Sequence, residues 1–288
     1  MSSSVADPQI REIVGAFAPW RQLHRRDAWR PLTEERPGTG TGSQFGGIPL
    51  LDAGETWPSC GGCHCPMQLV LQLDLASLPE SCPFRSDQGC LQLFYCIQSD
   101  PSSRRFLERI DSRWRCGQGS RTLLAPGKLA RMIDINSSGV APPAVPNGFT
   151  PFPCRVVVAW ERFDDYPSAA EHEELGIKFE YLFKSGRTQT SVEWGEGGVR
   201  FEGIPEFGDR PGVAEAISTA ARKDKLGGWP VGFQGVDYLK CPRCNQLMTP
   251  IFQIDYDDHL HDWFGHRCGH LTRCERHPDV LGFGWAEC

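Results

Sequence analysis

Two Cys-x2-Cys pairs, Cys60 with Cys63 and Cys241 with Cys244, are the residues whose type and spacing point most directly to chemistry. Paired thiols on a turn serve either as a redox couple or as half of a tetrahedral metal site, so the position of further ligands decides between the two. Cys96 and Cys116 lie 33 and 53 residues after Cys63; Cys274 and Cys288 lie 30 and 44 residues after Cys244. This arithmetic predicts two four-cysteine zinc sites, Cys60/Cys63/Cys96/Cys116 and Cys241/Cys244/Cys274/Cys288. Four thiolates leave no open coordination position, so such zinc stabilises structure and does no chemistry. Cys65 and Cys268 stand close enough to compete as ligands and rank second. Cys82, Cys90 and Cys154 read as free thiols packed like small apolar groups.

A catalytic metal would need an exchangeable ligand. The tract His259, His261, His266, Cys268 and His270, with His277 nearby, is where one could be found, and it raises a metal-dependent hydrolase as an alternative. Its spacing does not fit a helical His-Glu-x-x-His pattern and no carboxylate cluster accompanies it in the sequence. We therefore read these as loop and surface histidines. The sequence has no Gly-x-Ser-x-Gly elbow, no phosphate-cradling loop ending in Lys-Ser/Thr and no dinucleotide fingerprint. The expectation is a protein with no catalytic residues.

The elements that must position these thiols come from a chain of 288 residues, 40% hydrophobic and 23% charged, enough for one large core or two small ones. No apolar run approaches the roughly 20 residues of a membrane-spanning helix. The start of the sequence lacks a basic, then apolar, leader. Thirteen cysteines, an odd count, suit metal ligation in a reducing compartment better than a disulfide framework, and we expect a cytoplasmic protein. A net charge of −6 excludes sequence-independent phosphate binding as the main task.

The chain also repeats itself. At a constant offset of 181, Gly46-Gly47-x-Pro49 matches Gly227-Gly228-x-Pro230, the two Cys-x2-Cys pairs match, and Met67, Gln72 and Asp74 match Met248, Gln253 and Asp255. We take this as a duplicated structural unit. After each pair comes an alternating segment, Met67 to Asp74 and Thr249 to Asp255, that reads as a strand fed by a turn. Further strands are expected at Leu91 to Ile97, Arg155 to Trp160 and Phe179 to Phe183. Helices are expected from Asp7-Pro8 towards Trp20, over Gly212 to Lys225, and from Ser168 to Gly176, where Ser168 and Glu171 form a capping box. The expected fold is α+β, strand-rich, one compact unit overall in four stretches: 1–45, a helical arm and Gly/Thr linker; 46–160, the first repeat with its zinc site; 161–226, an acidic middle; and 227–288, the second repeat with its zinc site.

The string Phe45-Gly-Gly-Ile-Pro49, Trp57-Pro58, Cys60-x2-Cys63-x2-Pro66-Met67, Leu71-Gln-Leu-Asp-Leu75 and Leu91-Gln-Leu-Phe-Tyr-Cys96 resembles the YwqG-like family, a bacterial domain of unknown function. Gly269 to Cys274 and His277 to Trp285 resemble the same family's ending. The resemblance implies two related halves with zinc on the eight cysteines named above, and a candidate immunity protein encoded beside toxins. The duplicated Gly-Gly-x-Pro with Cys-x2-Cys is also similar to the programmed cell death protein two family, which chaperones a ribosomal protein. Both resemblances imply a protein binder.

Residues 161 to 210 carry twelve acidic and six basic residues, a difference equal to the net charge of the whole chain. Asp164, Asp165, Tyr166, Glu173, Glu174 and Trp194 are the expected contact residues for a basic partner, since charge steers encounter and aromatics anchor interfaces. The function expected is an immunity protein that neutralises a cognate toxin, a secreted nuclease among those considered, by direct binding. A chaperone for a basic ribosomal protein is the alternative. Neither reading involves direct nucleic-acid or membrane binding.

Overall fold

The computed structural model describes residues 8–37, 42–97, 126–134, 139–168, 171, 175–184, 187–194, 199–206, 220–231, 238–255, 258–259 and 267–287. Among the described residues thirteen strands stand against two α-helices and one short 3-10 turn, and ten of the strands curl into one nearly closed, barrel-like sheet. The fold is therefore mostly β, which corrects the α+β expectation. The helix expected over Gly212 to Lys225 illustrates the reason. Its stretch 211–219 lies outside the described residues, and at its end Lys225 pairs with Gln253 as part of a strand. Local helix preference yields where a backbone has a sheet partner.

The chain divides into two compact units. The first comprises residues 1–28, 164–222 and 228–236. It contains helices α1 (Pro8–Ala16) and α2 (Ala18–Leu23) and a three-stranded antiparallel sheet of β7 (Ile177–Lys184), β8 (Arg187–Trp194) and β9 (Val199–Glu206). Ile13, Phe17 and Trp20, spaced by four and three residues, form the buried stripe of the helices, and the Trp20 indole N–H donates to the Leu175 carbonyl at 3.2 Å. Of the segment expected as a third helix, Glu171 sits in a short turn whose N–H donates to Ser168 O at 3.0 Å.

The second unit comprises residues 29–163, 223–227 and 237–288. Most of the large sheet belongs to it. Its strands are β1 (Arg26–Glu35), β2 (Gln44–Phe45), β3 (Gln68–Asp74), β4 (Cys90–Tyr95), β5 (Lys128–Ile133), β6 (Arg155–Asp165), β10 (Lys225–Gly227), β11 (Thr249–Asp255), β12 (Arg267–Arg273) and β13 (Leu281–Glu287). They run in the order β13-β12-β11-β10-β1-β6-β2-β3-β4-β5. The edge strands β5 and β13 approach each other, with Lys128 Nζ donating to the Phe283 carbonyl at 3.2 Å.

The two halves of this sheet repeat the same pairings in register. Gln44 pairs with Gln72 as Lys225 pairs with Gln253, each 181 residues on, and the β-bulge between Leu69 and Leu71 recurs between Pro250 and Phe252. The bulge inserts one residue and reverses the strand's phase. Leu69 thus joins an outer cluster with Met67, Phe94 and Cys96, whereas Leu71 and Leu73 enter the interior with Phe45, Leu93, Phe252, Leu271 and Phe283. The repeated glycines have their own reason. Gly46 and Gly47 sit at φ 60 and 74, Gly227 and Gly228 at φ 70 and 72, and a Cβ on Gly46 would collide with the Pro153 carbonyl oxygen. No helix among the described residues is long and apolar enough to cross a membrane.

Candidate metal centres

Each Cys-x2-Cys lies in a tight turn at the tip of a short ladder. Ser59 bridges Pro66 and Lys240 bridges Leu247 at the base of the two ladders. The chain then reverses around the first thiol: His64 N–H donates to Cys60 O at 2.8 Å and Asn245 N–H to Cys241 O at 2.8 Å. His64 and Asn245 take the left-handed conformation, φ 59 and 57, which Asn adopts readily and His tolerates. The thiol of the second Cys is thereby swung towards the first. The strands supply the next donor, since Cys96 follows β4 directly and Cys274 follows β12 directly.

In the second half the donors are Cys241, Cys244, Cys274 and His277, whose ligand atoms all lie within 4.8 Å of one another. Cys244 Sγ is 3.6 Å from Cys274 Sγ, and His277 Nδ1 is 3.6 Å from both Cys241 Sγ and Cys274 Sγ. Sulfur donors at about 2.3 Å and a nitrogen at about 2.0 Å from a tetrahedral ion stand about 3.8 Å (S to S) and about 3.5 Å (S to N) apart. Three of the edges, at 3.6 Å, therefore match those of a tetrahedral ion's shell, and the rest lie within 4.8 Å, so the four groups could hold such an ion. Desolvation opposes ionisation of Cys241, but the N–H groups of Cys244 and Arg243 and the thiols of Cys274 and Cys244 outweigh it and bring that thiol down to about 6. Burial and its hydrogen bond to Cys241 push Cys274 up. Cys241 is thus the readier thiolate and Cys274 the more reluctant one, and a metal that binds both displaces whatever thiol protons remain. The Arg243 guanidinium grips the Asp279 carboxylate, with Nη1 3.0 Å from Oδ1, and so ties the His277 turn to the knuckle.

His277 takes the position for which Cys288 was expected; Cys288 itself lies outside the described residues. The signal was present as Cys274-x2-His277, a spacing as tight as the Cys-x2-Cys pairs, but the His-rich tract upstream drew the histidine into a different reading. In the first half Cys60, Cys63 and Cys96 converge within the same limit, with Cys63 Sγ 3.5 Å from Cys96 Sγ. Cys116, the expected fourth ligand, lies outside the described residues.

The second-ranked cysteines join neither set. Cys65 turns its thiol to the Cys63 carbonyl, 3.6 Å away, and burial and that neighbouring thiol raise it. Cys268 is buried in β12 opposite Ala286. Cys82 and Cys90 pack in apolar clusters, and burial drives the Cys90 thiol up to about 12. Of the histidine tract, His261 and His266 lie outside the described residues, His259 stacks on Phe45 with ring centroids 4.7 Å apart, and His270 is buried in β12.

The acidic segment is divided between surface and interior. Asp164 is exposed and pairs with Arg25 at 2.7 Å. Asp165, expected on the same surface, is completely buried: its carboxylate accepts the N–H of Ala221 and of Trp229, both at 2.8 Å, and is a structural acceptor. Strand alternation sends neighbours to opposite sides, so one of the two had to point inward. Tyr166 is half-buried beneath the Arg21 guanidinium, 4.4 Å from the ring centroid. Trp194 ends β8, paired with Ile177 and Val199. Glu173 and Glu174 lie outside the described residues.

No curated protein matches the chain. Residues 43–272, which include both knuckles and all of β12 but its last residue, match the family described as a domain of unknown function (DUF1963). With most of its length so matched, the chain belongs to that family.

Proposed function

We propose that this chain is a zinc-stabilised protein binder of the cytoplasm, and specifically an immunity protein that neutralises a cognate toxin by stoichiometric binding. The observation that carries the structural role of the metal is the closed set Cys241/Cys244/Cys274/His277, whose 3.6 Å edges leave a central ion no position for water or substrate. Three thiols and an imidazole suit zinc, and the metal's binding energy enters folding rather than turnover. The acidic excess of residues 161 to 210 supports a basic partner, with Asp164 and Glu161 exposed among the described members.

The test begins with the genes that neighbour this chain's own and takes a toxin encoded there as the partner; if none is encoded there, the reading fails. Purified, zinc-loaded protein should abolish the toxin's activity at a ratio of one to one and elute with it as a single complex, and association should slow as salt rises because exposed charges are screened. Full toxin activity at a tenfold excess of this protein would overturn the reading. Binding to a basic ribosomal protein in its place would establish the chaperone alternative.

A further inference from the structure

The two halves of the large sheet allow one to serve as a control for the other. In the first, Ser43 Oγ accepts the Asp74 N–H at 3.1 Å and lies 3.2 Å from Ser77 Oγ, while Leu78 is buried in the core. The same offset of 181 puts Asp224, Asp255, Asp258 and His259 in these places. Asp224 Oδ1 accepts the Asp255 N–H at 2.7 Å, which is the bond Ser43 makes in the first half. A hydroxyl is therefore sufficient for that structural task. The other oxygen, Asp224 Oδ2, lies 2.8 Å from His259 Nδ1. Asp258 brings its Oδ1 to 3.5 Å from the same nitrogen and accepts the Asp224 N–H through Oδ2 at 2.9 Å. A pair of hydroxyls beside a leucine has become two facing carboxylates beside an imidazole, three changes at one place.

As a purely structural arrangement this is a poor exchange. The Asp224 side chain is fully buried, and taking a carboxylate out of water costs several kcal/mol that one backbone N–H and one imidazole must offset, where the hydroxyl of Ser43 carries no such cost. Desolvation pushes the Asp224 carboxyl up to about 6, the hydrogen bond from His259 works against that, and the charge of Asp258 adds to it. A cation between the three groups would satisfy both carboxylates at once. Phe45 lies flat against the His259 ring, at an interplanar angle of 11°, and fixes where Nδ1 points. Asp258 and His259 keep 20% and 11% of their side-chain surface exposed, so the group is reachable from solvent on one side.

We propose that Asp224, Asp258 and His259 form a third cation site, separate from the thiolate sets, that takes a divalent first-row cation through two carboxylates and one imidazole. The donor separations of 2.8 and 3.5 Å bracket the about 3.0 Å between neighbouring donors placed about 2.1 Å from an octahedral ion. Oxygen and imidazole donors accept Mn2+ and Fe2+, which thiolate sets do not select, although such donors hold Zn2+ more tightly still. Three protein ligands leave coordination positions for water or an oxygen-bearing ligand, in contrast to the closed thiolate centre.

Mn2+ is the probe that tests this, because the thiolate sets, already loaded with zinc, do not favour it. Titration of protein that carries zinc at the thiolate sets alone, two ions per chain by elemental analysis, followed by the paramagnetic signal of free Mn2+, should show one further ion taken up per chain. The triple variant Asp224→Ser, Asp258→Ser, His259→Leu restores the residues of the first half at their own positions. It should bind Mn2+ at least a hundredfold more weakly with unchanged zinc content and circular dichroism, and lose the rise in melting temperature that Mn2+ gives the parent. Should the triple variant not fold, Asp258→Asn carries the same test with a loss of at least tenfold. A parent that takes up no Mn2+ at about 1 mM overturns the proposal and leaves a triad held by a histidine proton. Equal Mn2+ uptake by parent and variants overturns it as well.

Discussion

Replacing His277 by Ala removes the nitrogen that closes the second thiolate set, 3.6 Å from two of its sulfurs. Loss of a group that only orients a ligand weakens metal binding by 10- to 100-fold, so loss of a ligand itself should exceed that upper figure. A hundredfold is about 2.7 kcal/mol. Since about 1 kcal/mol shifts the midpoint of a domain of this class by roughly 2–4 °C, the variant should melt roughly 5–10 °C below the parent. Chelation should do more, because a structural zinc contributes about 10–16 kcal/mol in isolated zinc-binding peptides, as much as the whole stability of a typical domain. The assay is zinc per chain by elemental analysis after dialysis against a competing chelator, with a melt on the same sample. His277→Ala should lose one ion, His277→Cys should keep it, and Cys288→Ser should be indistinguishable from the parent. With cobalt in place of zinc, the absorption spectrum should report three thiolates and one imidazole. If His277→Ala keeps every ion and melts like the parent while Cys288→Ser loses one, then His277 is a neighbour and not a ligand.

Burial, and then the charge of Lys225, bring His270 down to about 3. The unfolded chain therefore takes up a proton that the folded chain refuses. This histidine's contribution to stability is complete above about 6.5 and falls by about 1.4 kcal/mol per pH unit as the pH drops from there towards 3. His270→Gln, which copies Gln92 of the first half, should remove that slope in urea melts between pH 4 and 7, and an unchanged slope would show that other groups set the acid limit. Gly46→Ala should destabilise by about 1–2 kcal/mol from the left-handed backbone alone, and by more from the contact with Pro153, as measured by the denaturant midpoint. Asp165→Ala, which orphans two buried N–H groups, should cost about 2–6 kcal/mol, whereas the exposed Asp164→Lys should leave the melt within about 1 kcal/mol and alter only the rate of partner association. Equal melting of the two variants would contradict the burial that separates them.

Much of the metal chemistry was readable along the chain because it is local: two thiols three residues apart and a repeat without gaps are visible in one dimension. The strands after each knuckle were readable for the same reason, since Gln68 to Asp74 alternates over a short span. The bulge at Val70 was not, because an inserted residue is defined only by the strand it fails to pair with. The helix expected to end at Lys225 failed on the same ground, its last turn being claimed by Gln253 across the sheet.

Composition and spacing by themselves determined that this chain is duplicated, that its paired thiols could hold a metal and that its charge is concentrated in the middle. Only tertiary structure decided that His277 closes the second set, that Asp165 faces inward while Asp164 faces out, and that Asp224 meets Asp258 and His259. Asp224 and His259 are 35 residues apart in sequence and 2.8 Å apart in space. Coordination, burial and charge pairing act over a few ångströms, and the sheet pairing that makes distant residues neighbours leaves no mark on either residue alone.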